Sequence, residues 1–300
     1  MASAAPDTHQ RDVTGRLRLA VVAVLLVGAF APSLLKLGRF ALDHDLYSYV
    51  FLVPLVSLYF TYLTPRPRAT AVASGRGVGI VLLALAGAIL AGYWMASGSG
   101  WVFAVQDSLA ITTLAFVMVV VGACSLLLSR AHLRLLVFPL CFLAFMVPLP
   151  VAVEAGLENF LQHGSAPPTA WLFSLAGTPY FKQDMVFQLP GMTLQIAPEC
   201  SGIRSTLVLF MSSILAGYLF LRSPWRRVML VAFVIPLALV RNGFRVFTIG
   251  ELCVHIGPHM IDSDIHHKGG AIFFALSLIP FFGVLYYLVR LERPQKRAAP

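Results

Sequence analysis

Long apolar runs separated by short polar loops recur from one end of the chain to the other. A membrane-crossing helix takes about 20 apolar residues. Runs of that kind lie near residues 17–36, 46–64, 77–96, 108–129, 134–152, 203–221, 227–249 and 270–289. The fifth closes on Pro148-Leu149-Pro150, which cannot continue a regular helix interior, because proline lacks the donor N–H and crowds the preceding turn. The pattern predicts an all-α polytopic membrane protein with about eight transmembrane helices, forming a single integral membrane domain over residues 1–300.

The stretch 153–200 breaks the rhythm and is too long for a simple connector. Residues 153–176 read as an interfacial helix carrying Trp171 and Phe173, interrupted at Pro167-Pro168. Between Met185 and Ile196, two short β-favouring runs flank Pro190-Gly191, a pair suited to a type II turn. This predicts a short extracytoplasmic β-hairpin leading straight into Pro198-Glu199-Cys200-Ser201-Gly202.

Composition agrees with the membrane reading. Hydrophobic residues make up 58% and charged residues 12%, where a soluble domain carries about 25% charged residues. The formal net charge of +9 would suggest nucleic acid in a soluble protein. Here the basic residues follow the positive-inside rule and meet anionic lipid headgroups, so no nucleic-acid partner is expected. If eight spans alternate, Arg11 and Arg16, the Arg66–Arg76 loop, Arg130 and Arg134, Arg222–Arg227, and the tail from Arg290 to Arg297 all fall on one side. The other side holds Asp43, Asp45, Asp107, Glu154, Glu158, Asp184, Glu199, Asp262 and Asp264. The N-terminal arm (1–16) and the basic tail (290–300) are therefore expected in the cytoplasm and 153–200 at the outer face. Ala29-Phe30-Ala31 resembles a signal-peptide cleavage site, but an uncleaved first span is expected because the apolar run continues past it.

That topology brings Cys200, Arg245 and His266 to one face of the membrane. Cys200 sits just before the sixth span, with Ser201 as a candidate N-cap, and a thiol at a helix N-terminus is favoured as thiolate. Gly202 allows close backbone approach. Arg241-Asn242-Gly243-Phe244-Arg245 lies in the outer half of the seventh span. One charge there costs about 2.5–3.5 kcal/mol on insertion scales, so Arg241, Asn242 and Arg245 read as functional, with headgroup snorkelling or buried carboxylate pairing as the structural alternative. Four of the eight histidines, His255, His259, His266 and His267, fall in the last outer loop, where imidazole can exchange protons near neutral pH. His255 and His259 have helical metal-ligand spacing, but Pro258 argues against one helix, and neither a metal nor another cofactor is expected.

At these positions the chain resembles the exosortase/archaeosortase family of integral-membrane cysteine transpeptidases. Glu199-Cys200-Ser201-Gly202-Ile203 resembles the family's nucleophile motif, Asn242-Gly243-Phe244-Arg245-Val246 its arginine motif, and His266-His267-Lys268-Gly269-Gly270 with Phe274 its last motif. The resemblance implies catalytic roles for Cys200 as nucleophile, Arg245 as oxyanion or thiolate stabiliser and His266 as acid/base. Glu199, Ser201, Gly202, Asn242, Arg241 and His267 would complete the binding site. Arg241 competes with Arg245, and His267 with His266, for these roles. It further implies a multi-pass protein of the cell (inner) membrane, acting at the periplasmic face. Its substrates would be exported proteins with a C-terminal sorting signal: a Pro-Glu-Pro-like motif, a transmembrane helix and a basic tail. Cleavage through a thioester would pass them to an acceptor that the residues do not name. A transporter drawing anions to Arg241, Arg245 and the histidines, or a polysaccharide-export assembly factor without peptidase activity, fits part of the same pattern.

Overall fold

The computed structural model describes residues 8–65, 76–196, 201–262 and 270–292. Among them are seven helices long and apolar enough to cross a membrane, or eight if Val137–Met146 and Val151–Ala176 count as one broken span. The seven cover Ala20–Asp43, Asp45–Leu63, Arg76–Gly98, Val105–Leu127, Ile203–Phe220, Pro224–His255 and Gly270–Glu292, close to the hydropathy pattern. Val24, Leu58, Trp94, Ile279 and many other large apolar side chains point outward, as helices solvated by lipid require. The chain divides into two compact units, Met1–Val151 and Ala152–Pro300.

The first unit contains α1 (Thr8–Asp43), a 3-10 turn (Asp45–Phe51) running into α2 (Leu52–Leu63), α3 (Arg76–Gly98), α4 (Val105–Leu127), α5 (Arg130–Leu135) and α6 (Val137–Phe142). Helix α1 begins at Thr8, upstream of the apolar run. Leu37, Phe40, Tyr47, Val50, Phe116 and Phe142 form its main core. Helices α3 and α4 meet through small residues: a Cβ on Gly79 would lie 2.9 Å from the Gly122 carbonyl oxygen. The expected fifth span, 134–152, is not one helix. It consists of α5, α6 and a 3-10 turn at Leu143–Met146. Prolines at 139, 148 and 150 interrupt the ladder, and side chains bond two carbonyls of this stretch. Ser57 Oγ donates to Pro139 O at 2.7 Å, and Gln106 Nε2 donates to Leu149 O at 2.6 Å and to Tyr47 Oη at 2.9 Å.

The second unit contains α7 (Val151–Ala176), strands β1 (Phe181–Gln183), β2 (Val186–Leu189) and β3 (Met192–Gln195), then α8 (Ile203–Phe220), α9 (Pro224–His255), a 3-10 turn (Pro258–Asp262) and α10 (Gly270–Glu292). The expected interruption at Pro167-Pro168 does not occur: α7 runs through both prolines. Flanking hydroxyls reinforce the turn, with Ser165 Oγ donating to Gln162 O at 2.9 Å and Thr169 Oγ1 to Ser165 O at 2.8 Å. Packing against α9 there offsets the local proline cost.

The hairpin is present, with Leu189 opposite Met192 and Gly191 at φ +81° in the two-residue turn, the value a type II turn needs at that position. It belongs to a three-stranded antiparallel sheet, order β1-β2-β3. Strand β1 shows no apolar alternation to announce it, being exposed throughout, and joins β2 through Asp184 at φ +55°. The alternate residues Phe187, Leu189 and Leu194 face inward onto Phe173 of α7 and Val246 of α9. Phe173 is fully buried, its ring centroid 5.8 Å from Phe187, 5.9 Å from Tyr180 and 5.2 Å from Phe247. Phe173→Ala should cost about 3–5 kcal/mol through the cavity left between sheet and helices, read as a lowered unfolding midpoint of the purified full chain.

At the far end of this unit, the Glu292 carboxylate accepts from the backbone N–H groups of Arg222 and Ser223 at 2.8 and 2.9 Å, and pairs with Arg226 at 3.4 Å. This fastens the end of α10 to the basic α8–α9 loop and leaves the start of α8 and the C-terminal half of α9 at the other end.

Candidate functional site

Helix α8 begins in an unusual way. Its N-cap is Gly202, in the left-handed region at φ +71°, with no side-chain cap. Ser201, the expected N-cap, does not fill that role: its hydroxyl is buried and has no hydrogen-bond partner among the described residues. The left-handed turn at Gly202 shifts the cap one residue on and turns the serine away from the first-turn N–H groups.

The carbonyl of Gly202 is the hub. It accepts from Thr206 N at 3.0 Å, Ser205 Oγ at 3.0 Å, Thr206 Oγ1 at 2.9 Å and Arg241 Nη2 at 3.1 Å. Arg241 Nη2 also donates to Thr206 Oγ1 at 2.9 Å. Glycine is required for space as well as for φ: a Cβ at position 202 would lie 3.1 Å from both Arg241 Nη2 and Asn242 Oδ1.

Helix α9 supplies the next layer. Asn242 is buried and its Nδ2 donates to Ser165 Oγ of α7 at 3.1 Å. Thr169 Oγ1 also approaches Gly243 O at 3.3 Å. A Cβ on Gly243 would lie 3.1 Å from Ser165 O and from Thr169 N, so the backbones of α7 and α9 touch here. Arg241 thus reaches α8 while Asn242 and Gly243 hold α7. Arg245 lies one turn further along α9 and is half-buried. On the other flank, Gln162 Nε2 of α7 donates to Ile196 O at 3.2 Å, and Ile196 N donates to Met185 O at 3.0 Å. Both borders of the segment 197–200 are therefore anchored.

Of the residues singled out in the sequence, the structure gathers Ser201, Gly202, Arg241 and Asn242, with Arg245 one turn on. Glu199, Cys200, His266 and His267 lie outside the described residues. The sequence reading missed Gln162, Ser165, Thr169 and Thr206. For three of them the signal was a hydroxyl residue four positions from another small residue, Ser165 with Thr169 and Thr206 with Gly202; Gln162 carried no such pattern. It also missed a chain at the C-terminal end of α9, where Thr178 Oγ1 donates to Glu251 Oε1 at 2.5 Å and His255 Nε2 lies 3.0 Å from Glu251 Oε2. Helix α9 ends at His255, Gly257 takes φ +144° and Pro258 opens a separate turn, so His255 and His259 do not share a helix face. Among the described residues no three metal-ligating side chains come together.

Chemically, the arrangement concentrates positive potential: the Arg241 guanidinium lies at the N-terminus of α8, and a second arginine, Arg245, follows one turn along α9. Such a site favours anions and charge developing on oxygen. The family model described as transmembrane exosortase matches residues 41–283. No curated protein and no solved structure matches the chain.

Proposed function

The chain belongs to the transmembrane exosortase family, and from that premise we propose that this multi-pass membrane processing enzyme is a cysteine transpeptidase for C-terminal sorting signals. Its site is at the outer face of the cell membrane, and its substrates are exported proteins ending in a Pro-Glu-Pro-like motif, a membrane helix and a basic tail. The observation that carries the reading is the anchored turn at Gly202, held by Arg241 at 3.1 Å from the helix that also bears Arg245. It fixes the chain two residues beyond Cys200.

In the proposed cycle the Cys200 thiolate attacks the scissile carbonyl carbon. Arg245 stabilises the charge developing on the carbonyl oxygen. The C–N bond breaks as His266 or His267 gives its proton to the leaving amine, and a thioester remains on Cys200. An acceptor amine or water then attacks the thioester carbonyl, giving up a proton to the histidine and releasing the thiolate. The positive-inside assignment puts the starts of α8 and the histidine loop outside, where the signal emerges from its own membrane helix.

The test is co-expression with an exported reporter carrying such a signal, followed by the reporter's intact mass. Loss of the tail with the wild-type protein, and retention when Cys200 is replaced, is the expected result. His266→Ala and His267→Ala then show which imidazole moves the proton, with a loss of about 10²–10⁴ for the general acid. An unprocessed reporter beside well-inserted wild-type protein overturns the reading.

A further inference from the structure

Two polar atoms flanking Gly202 are sealed from solvent without a hydrogen-bond partner among the described residues: Ser201 Oγ and Arg241 Nη1. Ser201 is 1% exposed and Arg241 is 7% exposed. Buried polar groups are nearly always paired, and an unmet charged donor is among the costliest to leave. The bonds Arg241 does make, to Gly202 O and Thr206 Oγ1, are to neutral acceptors. Among the described residues no carboxylate forms an ion pair with it. The guanidinium therefore sits beside the N-terminal end of an 18-residue helix, α8, with one nitrogen committed and, among the described residues, no carboxylate paired to its charge.

We propose that Arg241 Nη1 and Ser201 Oγ are a subsite for a carboxylate of the polypeptide substrate. The proposal rests on the reading of the chain as a protein-processing enzyme and adds what the site selects. One guanidinium edge and one hydroxyl offer two donors to a two-oxygen, singly charged group. A phosphate, with a larger charge and three acceptor oxygens, would exceed them. A water would occupy the donors without neutralising the cation; a carboxylate does both. The enclosed setting strengthens the pairing, since little solvent screens it. The side chains over the two atoms must part as the substrate docks. Because Gly202 O holds the other nitrogen of the same guanidinium, seating the carboxylate draws the α8 turn and the substrate onto one rigid group. Arg241 acts as a positioning and specificity residue, distinct from Arg245 one turn away.

The experiment measures binding rather than turnover. Full-length protein bearing Cys200→Ala, in detergent, is titrated with two labelled peptides, each carrying a membrane helix and basic tail, one with Pro-Glu-Pro and one with Pro-Gln-Pro. The glutamate peptide is expected to bind about 10- to 100-fold more tightly, the range for a charge-assisted pair. Arg241→Gln should bring that ratio to about 1, Arg241→Lys should restore part of it, and Ser201→Ala should narrow it several-fold. A purely structural role for Arg241 would weaken both peptides alike and leave the ratio unchanged. Should Arg241→Gln fail to fold, Ser201→Ala, which removes one buried hydroxyl, decides the point alone. Equal affinity for the two peptides, or binding of neither, overturns the subsite. Reporter processing by the wild-type protein tests the enzyme reading separately, so the two failures are distinguishable.

Discussion

Replacing Cys200 by alanine is expected to abolish processing of a sorting-signal reporter, with a loss of order 10⁴–10⁶ in rate, the range seen when a covalent nucleophile is removed. At about 1.36 kcal/mol per decade this is about 5–8 kcal/mol of barrier. Cys200→Ser should be almost as poor. A hydroxyl stays protonated under conditions where a thiol ionises, and Cys200 precedes the first residue of α8, Ile203, by three positions in sequence. Loss of Arg245 should matter less. In the proposed cycle Arg245→Ala removes one donor to the developing oxyanion, and such losses run about 10²–10³. The ordering Cys200→Ala below Arg245→Ala below wild type, read as tail loss by intact mass over time, is specific to covalent catalysis. An anion transporter would reverse it, because removing Arg245 would damage transport while removing the thiol would not. Near-normal processing by Cys200→Ser would set thiol chemistry aside.

How much of this was legible in the chain depends on the range of the forces involved. The spans could be read because lipid exposure is a property of 20-residue windows, and seven of the expected runs coincide with the helices observed. The turn at Pro190-Gly191 could be read because φ +81° at Gly191 is a local demand. Proline misled in α7 for the complementary reason. A local rule stops the helix at Pro167-Pro168, while contact of Pro168 with Gly243 of α9, 75 positions away, keeps it whole. The site shows the same division. Arg241 and Asn242 stood out as polar residues in an apolar span. Their different duties, one to α8 and the other to α7, follow from which helix each faces, and no local pattern carries that. Ser201 was assigned to the cap by residue type, whereas the left-handed φ of Gly202 displaced it.

Gly202→Ala is the sharpest probe of that turn, and Gly177→Ala is its control. Both glycines are left-handed, at φ +71° and +77°, so each alanine incurs the same backbone penalty, about 1–2 kcal/mol. They differ in surroundings. Nothing lies within 4 Å of a Cβ built on Gly177, whereas at Gly202 it meets Arg241 Nη2 and Asn242 Oδ1 at 3.1 Å. Neither neighbour is free to give way: Arg241 is tied to Gly202 O and Thr206 Oγ1, and Asn242 to Ser165 Oγ. Overpacking of that kind adds about 1–3 kcal/mol, bringing Gly202→Ala to about 2–5 kcal/mol in all. Membrane insertion, set by the hydropathy of the spans, should be unaffected in both. Processing should fall by about 10² or more for Gly202→Ala, since a small displacement of a reacting group costs that much, and should hold near wild type for Gly177→Ala. Unfolding midpoints and reporter masses from the two variants, taken side by side, isolate the contact from the φ strain. If the variants fall together in both measurements, the guanidinium–amide cradle around Gly202 contributes nothing beyond its backbone conformation. If only Gly202→Ala loses processing, the cradle holds the nucleophile's turn in its working position.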